Sequence, residues 1–165
     1  MTYGAQIWGQ NITTHTDKIF KLQKKALRII SFAGFCDHTA PLHKSHKILK
    51  LEDFVKLQNC TFVHDFINNQ LPLNFNSYFT RLMDNHDLGT IRSRMGCLFT
   101  PFFSSTNYGL NSITHKCIEH WNFFCEALHG VINEDRDENE RITLSDLSRP
   151  VLRKLLFGYF INSYQ

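Results

Sequence analysis

Apolar residues along this chain recur at steps of three and four in several stretches, the spacing that lines one face of an α-helix. Ile19, Leu22, Ala26, Ile29, Ile30 and Ala33 form the first row, which predicts a helix over 17–33 with that row turned inward. Thr14 or Thr16 is placed to cap its start, and Gly34 lies just past its end. Before it, residues 1–9 read as a short helix or strand end anchored by Trp8 and closed by Gly9. After it, Thr39 followed by Pro41 marks another start and predicts a short helix over 41–48.

A second long row, Phe54, Val55, Leu57, Thr61, Phe62, Val63, Phe66 and Ile67, predicts a helix over 52–69 with a broad apolar face. Glu52 and Asp53 suit its first turn, and Leu71-Pro72 ends it. Phe75, Tyr78 and Phe79 suggest one more short helix and an aromatic core for this half. Residues 81–111 lose the periodicity, carry scattered Gly, Ser, Thr and Asn, and hold only one possible extended run at 97–103. Helical spacing resumes over 112–128 through Ile113, Cys117, Trp121 and Phe124. An acidic linker follows at 134–140, and a last helix begins after Ser145 or Ser148 and runs to Tyr164. In that helix Pro150 sits in an early turn and Leu152, Leu155, Leu156, Tyr159 and Phe160 face inward. The fold class expected is mainly α: an irregular bundle of about five to seven helices, an irregular excursion at 81–111, and at most one short strand or hairpin. Two parts are expected, a basic helical module over 1–80 and an irregular segment with C-terminal helices over 81–165 that pack on it.

Charge changes the meaning of the first long helix. Lys18, Lys21, Lys25 and Arg28 follow helical spacing with Lys24 beside them, and Asp17 is the only acid nearby. From His15 to Lys50 there are eight Lys or Arg and two acids, a local balance of +6 in a chain whose net charge is +3. A segregated positive field of this kind draws polyanions. The plain alternative is a solvated lysine face, which many surface helices show.

Composition narrows the function classes. Aromatic content is 13%, most of it phenylalanine, and charged residues make up 20%. No run is long enough to span a membrane and the N-terminus lacks a secretory pattern, so an intracellular chain with no membrane partner is expected, nucleus and cytoplasm being equally open. Five cysteines without a Cys-x-x-Cys pair argue for free thiols rather than a disulfide framework or zinc ribbon. Cys36, His38, His43 and His46, and separately Cys117, His120 and Cys125, are the sets worth checking for metal, though neither has a recognised ligand spacing. No hydrolase, Walker or zinc-protease motif is present. Two-metal polymerase chemistry needs closely spaced carboxylates on rigid elements. Asp135 and Asp137 lie in the acidic linker, and Asp84 and Asp87, near His86, lie in the irregular stretch. No catalytic residue, metal ligand or cofactor is therefore assigned.

Several short motifs occur in a fixed order: Tyr3-Gly4, Ile7-Trp8-Gly9, Leu22-Gln23-Lys24-Lys25-Ala26, Arg28-Ile29-Ile30, Asp37-His38-Thr39-x-Pro41-Leu42 and Lys47-Ile48-Leu49-Lys50-Leu51. This series resembles the region that follows the catalytic palm in reverse transcriptases of non-LTR (LINE, jockey-like) retrotransposons. Leu71-Pro72, Tyr108-Gly109, Ser112-Ile113, Trp121-Asn122 and the closing helix resemble looser features of the same region. The resemblance implies a thumb and post-thumb helical module that grips a template–primer duplex beside a palm. That palm, the endonuclease and the paired aspartates would lie before Met1. The C-terminal zinc knuckle of some members has no counterpart. The resemblance thus implies a non-catalytic fragment of an RNA-directed DNA polymerase.

Charge and resemblance together nominate Lys18, Lys21, Lys24, Lys25, Arg28, Lys44 and Lys47 for contact with the backbone of an RNA–DNA or DNA duplex. Two other outcomes stay open: a structural or protein–protein interaction module, with Trp8, Phe62, Phe66 and Trp121 as core or interface anchors, and an inactive pseudogene product.

Overall fold

A computed structural model of the protein describes residues 4–10, 14–75, 77–81, 98–101, 103–134 and 141–164. Among these the chain is mainly helical, as the apolar spacing predicts. Seven α-helices are present among the described residues: α1 (Ala5–Trp8), α2 (Thr14–Ile30), α3 (Ala40–Ser45), α4 (Leu51–Ile67), α5 (Asn107–Leu110), α6 (Ile113–Ile132) and α7 (Arg149–Ser163). One antiparallel bridge, Arg81 to Phe99, is the only β pairing among the described residues. The chain divides into two compact units, Met1–Gln58 with Arg153–Gln165 and Asn59–Leu152, so that α4 and α7 each contribute to both.

The long helices lie close to their expected places, but their ends differ. α2 stops at Ile30, before Gly34, because Phe32 adopts the left-handed conformation (φ 52°). Its N–H bonds Ile29 O at 3.3 Å, and Ala33 N–H bonds Arg28 O at 3.0 Å. Those paired bonds are a Schellman closure, normally built on glycine. The same closure ends α3 at Ser45 rather than 48, with Lys47 left-handed, and ends α4 at Ile67, with Asn69 left-handed. α6 runs one turn past its expected end, to Ile132. The short helix expected around 75–79 is only a 3-10 turn at Leu73–Phe75, and α5 lies in a stretch read as irregular. Residues 82–97, most of the expected excursion, and the linker at 135–140 fall outside the described residues.

In the first unit, the inward face of α2 is not the one its apolar row predicts. Leu22, Ile29 and Ile30 are 62%, 65% and 59% exposed, whereas Leu27 is 2% exposed and Thr16 is buried. The buried row is set by Thr16 and Leu27, with Phe20 and Gln23 half-buried between them, and it also steps by four and three. It was hidden because half of it is polar. Gln23 explains the choice: its amide donates to Leu49 O at 2.7 Å and its carbonyl accepts from Leu51 N–H at 3.1 Å.

Leu51 opens α4, where helical N–H groups have no partner within the helix. The preceding donor, Lys50 N–H, is taken by the Tyr164 hydroxyl at 2.9 Å, and that hydroxyl donates to Asp53 at 2.7 Å. Side chains from α2 and from the end of α7 therefore cap α4 together. α1 approaches α4 closely at Gly9, where a Cβ would stand 2.5 Å from Val55 Cγ2 and from Ala5 O, so the position admits only glycine.

His43, fully buried in α3, donates through Nδ1 to Ile48 O at 3.0 Å and stacks edge-on with Tyr164 at 5.9 Å. Its Nε2 is buried with no hydrogen-bond partner among the described residues. Burial first, then the charges of Lys50 and Lys24, push its pKa below the usual 6.5. The unfolded chain therefore takes up the proton first, and the stability contributed by neutral His43 is complete above pH 6.5 and declines as pH falls below it. His43→Leu should flatten that acid slope when urea midpoints are measured between about pH 6.5 and 5. An unchanged slope would contradict the assignment.

The second unit has the aromatic core expected from its phenylalanines. Phe62, Phe66, Phe75, Phe79 and Phe99 pack ring against ring at centroid distances of 4.8 to 6.1 Å. Cys117, Trp121, Phe124, Cys125 and Leu128 form the buried face of α6, whose Ser112 cap accepts from His115 N–H at 3.3 Å. Between Asn59 and Asp65, α4 buries Asn59, Thr61, His64 and Asp65 as well as Cys60 and Val63. Three of those polar groups have partners in the same unit: Asn59 lies 2.9 Å from His120, His64 donates to Leu147 O at 2.7 Å, and one carboxylate oxygen of Asp65 pairs with Arg149 at 3.0 Å. Two asparagines of α6 and its cap hold backbone directly. Asn122 pairs with both the N–H (3.0 Å) and the carbonyl (2.8 Å) of Phe99, and Asn133 does the same for Ile142 (2.9 and 3.0 Å).

Candidate nucleic-acid interface

α2 is a helix of 17 residues divided lengthwise into three sectors. About 100° of rotation per residue puts the buried row on one sector, Ile19, Leu22, Ala26, Ile29 and Ile30 on the second, and the cationic residues on the third. Within that third sector the nominated side chains have different roles. Lys18, Lys21 and Lys25 are exposed and form no ion pair among the described residues. Their three- and four-residue spacing sets neighbouring Cβ atoms about 5–6 Å apart.

Lys24 is half-buried, its Nζ 4.1 Å from the centre of the Phe20 ring. Arg28 is committed within the protein, donating through Nε and Nη2 to the Asp37 carbonyl at 3.1 and 2.9 Å. Asp37 in turn accepts from Gly34 N–H at 2.6 Å, so the arginine braces the turn that follows α2. Lys44 is exposed on α3, and Lys47 is exposed at the left-handed residue after it. α3 meets α2 through Phe20 and His43, whose ring centres are 6.5 Å apart, and the residues just past the two helix ends, Ser31 and His46, hydrogen-bond at 2.9 Å. Of the seven nominated residues, three thus form one open stripe, two are engaged by neighbours, and two extend from the adjoining element.

The second sector borders a groove that the sequence did not suggest. It has a volume of about 740 Å³ and is lined by Ile19, Leu22 and Ala26 of α2, Leu49, Phe54 and Leu57, and Phe157 of α7, with Arg153 and Lys154 also in the wall. All these residues belong to the first unit. The available signal was the unbroken apolar row of α2, which reads equally well as core or as an open face.

The metal candidates do not converge. His43 and His46 are held by Ile48 O and Ser31, Cys36 and His38 are exposed, and no cluster of three or more His, Cys, Asp or Glu suited to a metal ion occurs among the described residues. Cys117 and Cys60 are buried, which pushes both thiols well above their ordinary pKa and keeps them protonated. Asp84, Asp87, His86, Asp135 and Asp137 lie outside the described residues. No described helix is long and apolar enough to cross a membrane. No protein-family model matches this chain, nor does any curated protein or solved structure.

Proposed function

We propose that this protein is a non-catalytic nucleic-acid-binding module, a thumb-like fragment of a non-LTR retrotransposon RNA-directed DNA polymerase, that lays α2 along the phosphate backbone of a template–primer duplex. The observation that carries this reading is the stripe of Lys18, Lys21 and Lys25, exposed at one-turn intervals and free of acidic partners among the described residues. Lysine contacts at that spacing bind phosphate without reading bases. The interior supports the stripe by pinning α2 through Gln23 and Leu27 and by bracing its end through Arg28. Lys44 and Lys47 lie on the element packed beside it and add charge without joining the row. Nucleotide chemistry would belong to an upstream palm in the parent protein, and the isolated 165 residues should incorporate no nucleotide.

Three phosphate contacts give a salt slope of about −3 on a B-like duplex, or roughly 40-fold weaker binding at 200 mM salt than at 50 mM. Lys21→Glu with Lys25→Glu should remove about two units of that slope. The measurement is fluorescence anisotropy of a labelled RNA–DNA hybrid across a salt series. Binding indifferent both to salt and to the double substitution would defeat the proposal. The open apolar sector of α2 favours a second reading, a protein–protein interaction module in which the lysines only solubilise the helix.

A further inference from the structure

The apolar sector of α2 remains unexplained by phosphate binding. Leu22, Ile29 and Ile30 are more than half exposed, a cost that a solvated helix has no reason to carry. The row runs from the half-buried Ile19 to the exposed Ile30, about 16 Å or three helical turns. Beside Leu22 it continues into the groove, whose floor includes the nearly inaccessible Leu49 and Leu57.

The charge in the wall of the groove has one sign. Arg153 and Lys154, both exposed, are the only ionisable residues in its wall among the described residues. Along α2, Lys18 and Lys25 stand one turn from Leu22 and Ile29 on the edge of the same sector. Glu52 lies nearby in sequence, beside Leu51, but is not part of the wall.

We infer that this trough is a docking site for an acidic amphipathic helix of a partner protein, seated by apolar side chains in the groove and held by carboxylates on its cationic rims. An elongated apolar trough suits residues at i, i+3, i+4 and i+7 of a helix. A small ligand would need to be largely enclosed, and the 62% exposure of Leu22 shows an open wall. A planar lipid surface cannot reach the recessed Leu49 and Leu57. A second copy of this chain would bring like-charged rims together, which opposes association. The inference goes beyond the duplex reading, because it rests on the apolar groove and on Arg153 and Lys154, and it shares with the stripe only Lys18 and Lys25 on one rim.

The test uses the full 165-residue chain and a fluorescein-labelled 18-residue helical peptide with leucines at i, i+3, i+4 and i+7 spacing and glutamates elsewhere. A matching peptide with lysines for glutamates is the control. The acidic peptide should bind and the basic one should not. Leu22→Glu alters an exposed side chain, so the fold should persist by circular dichroism while peptide binding weakens about tenfold or more. Arg153→Glu with Lys154→Glu should shift preference toward the basic peptide while leaving the leucine requirement intact. Equal affinity for both peptides, no binding of the acidic one, or an acidic-peptide affinity unmoved by these variants would overturn the inference. So would binding to phosphatidylserine vesicles that the peptide cannot displace, or a concentration-dependent dimer in sedimentation that excludes the peptide.

Discussion

Phe99→Ala should destabilise the second unit by about 3–5 kcal/mol, the usual cost of emptying a buried phenylalanine site. Phe99 is 1% exposed, and its ring lies 5.6 Å from Phe79 and 6.1 Å from Phe66. Its removal forfeits the ring contacts with both, edge-on with Phe66 and tilted with Phe79, as well as the buried area. The surrounding backbone is held by the Asn122 amide and by a 2.8 Å bond from Thr100 N–H to Thr80 O, which limits how far the site can collapse. Domains of this size have about 5–15 kcal/mol in total, so the variant should be partly unfolded at physiological temperature. Urea unfolding followed by Trp121 fluorescence in a Trp8→Phe background checks it, since Trp121 is buried in the same unit. Phe123→Ala, at a side chain 55% exposed, should fall within about 0.5 kcal/mol of the parent. Equal effects from the two substitutions would refute this account of the core.

The second large effect belongs to α2 and reverses what its apolar row predicts. Leu27→Ala should cost about 2–5 kcal/mol, because Leu27 is 2% exposed. Leu22→Ala should cost no more than about 0.5 kcal/mol, Leu22 being 62% exposed. Had the helix buried the row expected from sequence, the order would be the opposite. Paired urea titrations of the two variants by far-ultraviolet circular dichroism decide between the two faces. A loss at Leu22 as large as that at Leu27 would show that the apolar sector is covered in the free protein.

The helical class and the long helices were legible because apolar spacing over four or five turns is a strong signal. The faces were less so. Periodicity scores Gln23, Asn59, Asn122 and Asn133 as surface positions, yet each amide carries both a donor and an acceptor and can hold buried backbone or another polar side chain. Gln23 decides which side of α2 turns inward, and no count of apolar residues contains that information. Helix ends were missed for a related reason. Phe32 and Lys47 occupy a conformation expected of glycine, so Gly34 looked like the stop signal for a helix that closes two residues earlier.

Within the candidate interface, the positive stripe could be read from lysine spacing alone. The engagement of Arg28 with the Asp37 carbonyl could not, because it depends on how the chain turns after α2. The motif that contains Asp37 was visible in the sequence, but its partner was not. The groove escaped notice because it is formed by residues distant in the chain, Leu22 and Phe157 among them.

Asn122 stands where a neighbouring strand would otherwise pair with Phe99. At the bridge between Arg81 and Phe99, the bonded groups are those of the flanking residues, as in the Thr100–Thr80 pair, so the N–H and carbonyl of Phe99 point away from Arg81. Left open, those two groups would form a short adhesive edge on which an extended segment of another molecule could add. A single side-chain amide occupies both and serves as a one-residue substitute for the missing strand. Asn122 therefore ends the pairing at Phe99: the two backbone groups that a further strand would need are already taken inside the protein.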